Sequence, residues 1–156
     1  MAGKVYAALK GFAGTVSRSV DDIIESFVNK ESTANIAFGA PVVFDASTGG
    51  VKKVASGSTE ALGVAVRSTK TENTYGGNDP AYKPGELVDV IKRGSVIINV
   101  GNSLTPAAGG IVYITKATGA WATSADSTNT INTGWKFKGA KDANYNVEIV
   151  LPERNY

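Results

Sequence analysis

The sequence contains no cysteine and no histidine in its 156 residues. Without cysteine the chain has no disulfide, no thiolate nucleophile and no cysteine-ligated zinc or iron–sulfur centre. Without histidine it has no imidazole general base and no histidine metal ligand. Most hydrolase and metalloenzyme designs are therefore excluded, which leaves serine–lysine pairs, carboxylate pairs and all-oxygen metal sites.

These remaining designs also lack their characteristic motifs. The pattern Ser-x-x-Lys does not occur in the chain. Glu86 and Asp89 lie an odd number of positions apart, so a strand directs them to opposite faces. The acidic residues Asp21, Asp22 and Glu25 lack the ligand spacing of a calcium loop, and the glycine doublets do not fit a phosphate-binding loop. We expect no catalytic, cofactor-binding or metal-binding residues and a protein that is not an enzyme.

An excess of charge of one sign is missing as well. Sixteen Lys and Arg oppose fourteen Asp and Glu, the net charge is +2, and the two signs are interspersed. Proteins that bind nucleic acid usually concentrate basic residues in one patch, so we expect no specific nucleic-acid partner. No apolar run approaches the ~20 residues of a membrane span, and the first residues lack the apolar core of a signal peptide. We therefore predict no membrane partner and synthesis in the cytoplasm.

Glycine, by contrast, is abundant at 18 of 156 residues. These glycines separate short segments rich in Val and Ile, which is typical of strands joined by turns. Residues 83–86, Lys-Pro-Gly-Glu, match a type II turn, and the apolar alternation over 145–151 indicates a half-buried strand. The sequence predicts a mainly β protein, a single-domain β-sandwich or barrel of jelly-roll type that covers residues 17–156.

Several strands inside this domain can be assigned individually. Residues 41–44 and 51–54 flank a turn and form a hairpin, and 61–66 form a short strand buried on both faces. Residues 87–91 and 95–100 are two strands separated by Lys92, Arg93 and Gly94. The segments around 42–51 and 111–121 are similar, and each precedes a glycine that opens a further strand. This echo suggests two similar β-units, although any strand–turn–strand sequence has some resemblance to another.

The N-terminal part differs from the rest. Residues 1–16 show no clear period and predict an N-terminal arm or an irregular first strand. Apolar residues in the next segment have the spacing of one helix face, which favours one short helix with an extended segment as the alternative; they are Val20, Ile23, Ile24, Phe27 and Val28.

Aromatic residues are the best candidates for contact with a partner. Tyr75 and Tyr82 lie in or beside a long polar loop that covers 68–81, where folding does not require an aromatic side chain. Trp121 and Trp135 are either large core side chains or platforms for a sugar or a protein partner, and the core interpretation is favoured.

The order of several segments is typical of a known family. They are 36–43 (IAFGAPVV), 62–66 (LGVAV), 82–90 (YKPGELVDV), 94–100 (GSVIINV) and 109–113 (GGIVY). Over about residues 36–120 the sequence resembles the capsid cement, or decoration, proteins of tailed phages.

This resemblance implies a β-sandwich or barrel, often with an extended arm, that binds the outside of the major capsid protein lattice and stabilises the expanded head. It implies the major capsid protein as partner, a dimer or trimer on the capsid, a place on the surface of the virion, and synthesis in the host cytoplasm. An arm that carries Tyr6, Leu9 and Phe12 would gain affinity by ordering on that partner. The alternatives are another virion component, such as a tail, baseplate or head-fibre protein, and a carbohydrate-binding β-module.

Overall fold

The computed structural model describes residues 11–68 and 81–152, except for the side chains of 18–20, and this part of the chain is built from β-strands. No helix in these ranges is long and apolar enough to cross a membrane. Eleven strands are formed there: β1 (Val16–Val28), β2 (Ile36–Ala37), β3 (Pro41–Asp45), β4 (Gly50–Lys53), β5 (Gly63–Ala65), β6 (Ala81–Tyr82), β7 (Leu87–Asn99), β8 (Ile111–Thr115), β9 (Trp121–Ala122), β10 (Thr130–Phe137) and β11 (Asn146–Leu151).

Strand β7 is the centre of the main sheet, whose order is β4-β3-β5-β7-β11-β10-β8-β9 with β1 also paired to β7. Ile91 of β7 pairs with Ile24 of β1 and with Val64 of β5. Because a strand has only two edges, β1 occupies one edge of β7, and β5 and β11 share the other. All these pairs are antiparallel, and β2 and β6 form a small second sheet.

The main sheet curls back toward its own beginning. Immediately after β1, Asn29 forms a parallel bridge with Val51 of β4, the strand at the far end of the sheet. The amide of Lys30 donates to the carbonyl of Val51 at 2.9 Å. The predicted β-rich sandwich or barrel is therefore confirmed in the form of a curled antiparallel sheet.

The curl creates two hydrophobic clusters on opposite faces of β7. The smaller cluster contains Val88 and Val90 of β7 together with Ile36, Phe38, Val42, Val51, Ala65 and Tyr82. The larger one contains Ile91, Val96 and Ile98 of β7 together with Trp135, Phe137 and residues of β8, β10 and β11. Since apolar burial is the main favourable contribution to folding, these two clusters stabilise the domain.

Residues 92–94 form an irregularity within β7 and do not separate two strands as predicted. Ile91 and Val96 face the same cluster although they are an odd number of positions apart, so the alternation shifts between them. Gly94 has a φ of +123°, and a Cβ there would overlap the Asp22 carboxylate and lie 3.1 Å from Ile91 Cδ1. Glycine therefore allows a single strand to serve both clusters.

The predicted short helix is wrong, and the extended alternative is correct. Residues 16–28 form β1, whose pairing with β7 shifts register between Val16 and Arg18, between Arg18 and Ile23, and between Ile23 and Ile24. These shifts interrupt the two-residue alternation of a strand. The apolar residues then recur at irregular intervals that imitate the spacing of a helix face.

Other predictions of the sequence are confirmed. Strands β3 and β4 form the expected hairpin, and all three residues of β5 are buried. Gly85 has a φ of +83°, and the amide of Glu86 donates to the carbonyl of Lys83 at 3.1 Å, as a type II turn requires.

The similarity between the segments around 42–51 and 111–121 has a counterpart in the sheet topology. One half of the sheet has the order β4-β3-β5-β7 and the other half β9-β8-β10-β11, and the halves meet where β7 pairs with β11. Each half is a hairpin, then a third strand beside the first strand of that hairpin, then a fourth beside the third. This shared order is the arrangement that two similar β-units would have.

Candidate partner-binding surfaces

Of the five residues predicted to contact a partner, Phe12 and Tyr82 lie in the described part of the chain, and Tyr6, Leu9 and Tyr75 lie outside it. Phe12 is 70% exposed, in agreement with a contact role. Tyr82 is only 1% exposed, so its predicted exposure is wrong. The two residues must therefore be considered separately.

Tyr82 belongs to the smaller hydrophobic cluster because the end of the polar segment forms β6 and pairs with β2. Its ring meets that of Phe38 edge-on, with centroids 5.1 Å apart. Its hydroxyl donates to the carbonyl of Val66 at 2.6 Å, and burial raises the pKa of the Tyr82 phenol above 10.0. Tyr82 is thus a core residue with a satisfied hydroxyl group.

The two tryptophans also contribute to packing. Trp135 is fully buried, and Trp121 is half-buried against it with ring centroids 6.3 Å apart. The favoured core interpretation is confirmed for Trp135. Because a buried indole offers no face to a sugar, Trp135 is excluded as a sugar-stacking residue in the carbohydrate-binding alternative.

Phe12 is held at the surface by Arg67. The guanidinium of Arg67 lies 5.2 Å from the ring centroid of Phe12 and 5.2 Å from that of Phe38. Arg67 also donates through Nε to the carbonyl of Ala13 at 3.3 Å, and its amide donates to the carbonyl of Gly14 at 2.8 Å. The exposed ring therefore has a defined position on a cation, although only a small part of its surface is buried.

A second surface is an open groove of about 930 Å³ beside the β3–β4 hairpin. Its apolar part includes Phe44, Val43 and Leu62, and Phe44 is 49% exposed. Its charged residues are Lys30, Glu31, Asp45, Lys52, Lys53, Glu60 and Lys92. Exposed aromatic side chains such as Phe44 are enriched at protein-contact surfaces, whose rims are polar.

The charges of this groove are partly paired within the fold. Asp45 accepts hydrogen bonds from Lys52 Nζ at 2.7 Å and from Ser47 Oγ at 2.6 Å. Lys52, followed by Ser47 and Thr48, holds the pKa of Asp45 far below its usual range, and Asp45 raises the pKa of Lys52. Lys30 and Lys53 have no carboxylate partner among the described residues. No group of three or more potential metal ligands occurs in the described ranges.

The sequence did not indicate a third surface feature, the turn that precedes β11. Tyr145 was expected to begin a half-buried strand, but β11 begins at Asn146, and Tyr145 lies in a turn with a φ of +65° and 40% exposure. Its ring lies over Lys141 Nζ at 5.3 Å from the centroid. The Asp and Asn residues of 142–146 were the available indication of a turn.

These features describe a β-body that offers exposed aromatic rings and an open groove with charged residues. A chain in the solved capsid of Myoviridae phage XM1 has the same fold, with a TM-score of 0.75 and 20% identity over 98% of this chain and 99% of that one. No curated protein sequence matches this one.

A match to a family model over residues 1–151, together with this fold, places the chain in the class of tailed-phage capsid proteins. More specifically, it is a member of the XM1 gp53 minor capsid protein family, whose model matches residues 1–151. The expected resemblance to a capsid accessory protein is confirmed at this level.

Proposed function

We propose that this protein is a capsid cement, or decoration, protein that binds the outside of the major capsid protein lattice and stabilises the expanded head. The observation that carries this proposal is the match to a minor capsid protein family over residues 1–151. Its action requires contact and no catalysis, and it is synthesised in the host cytoplasm before it joins the virion surface.

A cement protein must contact more than one neighbour, and the fold supports this proposal with two separate surfaces. The Phe12–Arg67–Phe38 stack lies near the beginning of β3, and the groove with Phe44 and Asp45 lies at its end. At about 3.3 Å per residue, the five residues of β3 extend over ~13–17 Å. A rigid sheet between two contact surfaces can transmit force from one capsid subunit to the next.

Repetition on the lattice reduces the affinity that each contact requires. When copies associate as dimers or trimers, a second contact becomes intramolecular once the first has formed, and the overall affinity exceeds that of either contact. We therefore propose the major capsid protein as the partner and a homo-oligomer as the bound form.

The proposal is tested with expanded shells of the encoding phage prepared without this protein. Purified protein is expected to bind them at a fixed ratio to the major capsid protein and to raise the temperature at which the shells rupture. Unexpanded shells provide the control. Failure to bind expanded shells, or density on the tail in an electron cryomicroscopy map of the virion, would contradict the cement role.

A further inference from the structure

Tyr145 occupies a backbone conformation that this chain otherwise gives to glycine. Among the described residues, eleven have a φ in the left-handed region, and ten of them are glycines. The exception is Tyr145, with a φ of +65°. A side chain with a Cβ is disfavoured in this region, whereas Gly adopts it readily and Asn tolerates it better than most residues. Tyrosine at this position therefore needs a reason other than the turn itself.

The turn is held by contacts that do not involve the tyrosine ring. Asp142 Oδ1 accepts the amides of Asn144 at 2.9 Å and of Asn146 at 3.0 Å. The amide of Tyr145 donates to the carbonyl of Asp142 at 3.0 Å, and the carbonyl of Tyr145 accepts from Val100 at 2.9 Å. Any residue that accepts the left-handed conformation can make the same backbone bonds.

The ring itself contributes little to the core. It is 40% exposed and lies outside both hydrophobic clusters. The described contacts include no hydrogen bond from its hydroxyl group, and Lys141 Nζ lies over its ring. That ammonium donates to the carbonyls of Gly101 and Asn102. Since an ammonium has three N–H groups, one donor remains beside the ring for an external acceptor.

A second exposed aromatic residue lies close by in the structure. Asn146, which follows Tyr145, donates through Nδ2 to the carbonyl of Gly11 at 2.7 Å. Gly11 is followed by Phe12, whose ring packs on the guanidinium of Arg67. We name Phe12, Arg67, Lys141 and Tyr145 the aromatic corner. It presents two exposed rings, each with a cation against it.

We propose that Tyr145 is an anchor residue through which the aromatic corner binds the capsid shell, and this inference depends on the proposed cement function. Anchor residues of interfaces are typically Tyr, Trp and Arg, which insert into pockets of the partner. The cations of the corner require a complementary charge. The partner surface is therefore an apolar pocket of the major capsid protein with a carboxylate at its edge.

The test compares the thermal stability of Tyr145 variants with their binding to expanded shells. Tyr145→Gly is expected to raise Tm by about 2 °C or more, because it removes the backbone strain. The same variant is expected to weaken shell binding about tenfold or more, as loss of an anchor does. Tyr145→Asn should weaken shell binding in the same way and should raise Tm by a smaller amount. Tyr145→Phe keeps the ring and should retain most of the binding, while the control Leu87→Ser removes another exposed apolar side chain and should bind like the wild type.

Each result decides the matter. Wild-type levels of binding by Tyr145→Gly would overturn the anchor role while leaving the cement function intact. A fall in Tm or loss of folding in both Tyr145→Gly and Tyr145→Asn would show that the ring is a structural element, which also overturns it. Failure of the wild-type protein itself to bind shells would remove the cement function and this inference together.

Discussion

Gly14 and Ile97 are joined by a backbone hydrogen bond, in which the amide of Gly14 donates to the carbonyl of Ile97 at 2.8 Å. The amide of Ile97 in turn donates to the carbonyl of Thr15 at 2.9 Å. Gly14 and Thr15, in the described part of the predicted N-terminal arm, thus lie against β7 next to the start of β1. Residues 11–15 form no strand, and Ala13 and Gly14 lie in a turn.

Gly14 is expected to be one of the least replaceable residues. It has a φ of +82°, and a Cβ there would lie 2.8 Å from the amide nitrogen of Arg67 and 2.9 Å from that of Gly39. Gly14→Ala should therefore lower the free energy of unfolding by about 3 kcal/mol through strain and overpacking combined. Chemical denaturation measures this change.

Gly49→Ala is the matched control for this substitution. Gly49 has a φ of +71°, but nothing lies within 4 Å of a Cβ at this position. Only the conformational strain remains, so the expected loss is about 1 kcal/mol. Equal losses for the two alanine variants would show that the close approach around Gly14 is unimportant.

Local signals in the sequence explain why much of the fold could be predicted. The Pro84-Gly85 pair fixes its turn through the restricted φ of proline and the freedom of glycine, and neither depends on distant residues. The exposed β1 could not be assigned in the same way. Ile23 and Ile24 are 38% and 44% exposed. Their positions are set by register shifts in the pairing of β1 with β7, a strand that is distant in the sequence.

The candidate contact surfaces were predicted less completely than the fold. Phe12 was predicted as a contact residue because the resemblance implies an arm that orders on its partner, and its contact role stays a prediction. Tyr82 was misassigned because its two-residue strand is too short to show alternation. Tyr145 was missed because tyrosine is rare in the left-handed region, so its residue type favours the opposite conformation.

Tyr82→Phe is expected to destabilise the protein. It removes the hydroxyl group that donates to the buried carbonyl of Val66 at 2.6 Å, which leaves that carbonyl without this partner. The expected loss is about 1–2 kcal/mol in the free energy of unfolding. Tyr113→Phe, on the half-buried face of β8, is the control and should change stability much less.

The fall in stability at alkaline pH provides a second measurement on Tyr82. Burial raises the pKa of Tyr82 in the folded state above its ordinary value of 10.0. The unfolded state therefore loses this proton first, and stability falls as the pH rises from 10.0 toward the folded pKa. Tyr82→Phe should flatten this decline, and an unchanged slope of Tm against pH would contradict the assignment.

Asp45 is expected to contribute to the loss of stability at acid pH. Lys52 first, and then the hydroxyl groups of Ser47 and Thr48, lower the pKa of Asp45 below its ordinary value of 3.8. The stabilisation is therefore complete above 3.8 and is lost as the pH falls toward the folded pKa. Asp45→Asn should lower Tm at neutral pH, and the gap from wild type should close in strong acid.

Lys52→Met distinguishes the causes of this effect. Because Lys52 is the largest contribution to the lowered pKa of Asp45, the effect of Asp45→Asn on Tm should be smaller in the Lys52→Met background than in the wild type. A gap between wild type and Asp45→Asn that stays constant from neutral pH into strong acid would rule out a role of the carboxylate charge.

Phe12→Ala is expected to separate binding from stability. Phe12 is 70% exposed and packs on Arg67, so its loss should cost less than about 1 kcal/mol of stability. Arg67 retains Phe38 as its second aromatic neighbour at 5.2 Å, which preserves the position of the cation. Shell binding should nevertheless weaken several-fold if the aromatic corner contacts the capsid, because an exposed ring fixed on a cation is buried in the complex.

Phe38→Ala provides the contrast, since Phe38 is 7% exposed and its truncation should cost about 3 kcal/mol or more. Unchanged binding by Phe12→Ala would place the contact elsewhere, with the groove around Phe44 as the next surface to test.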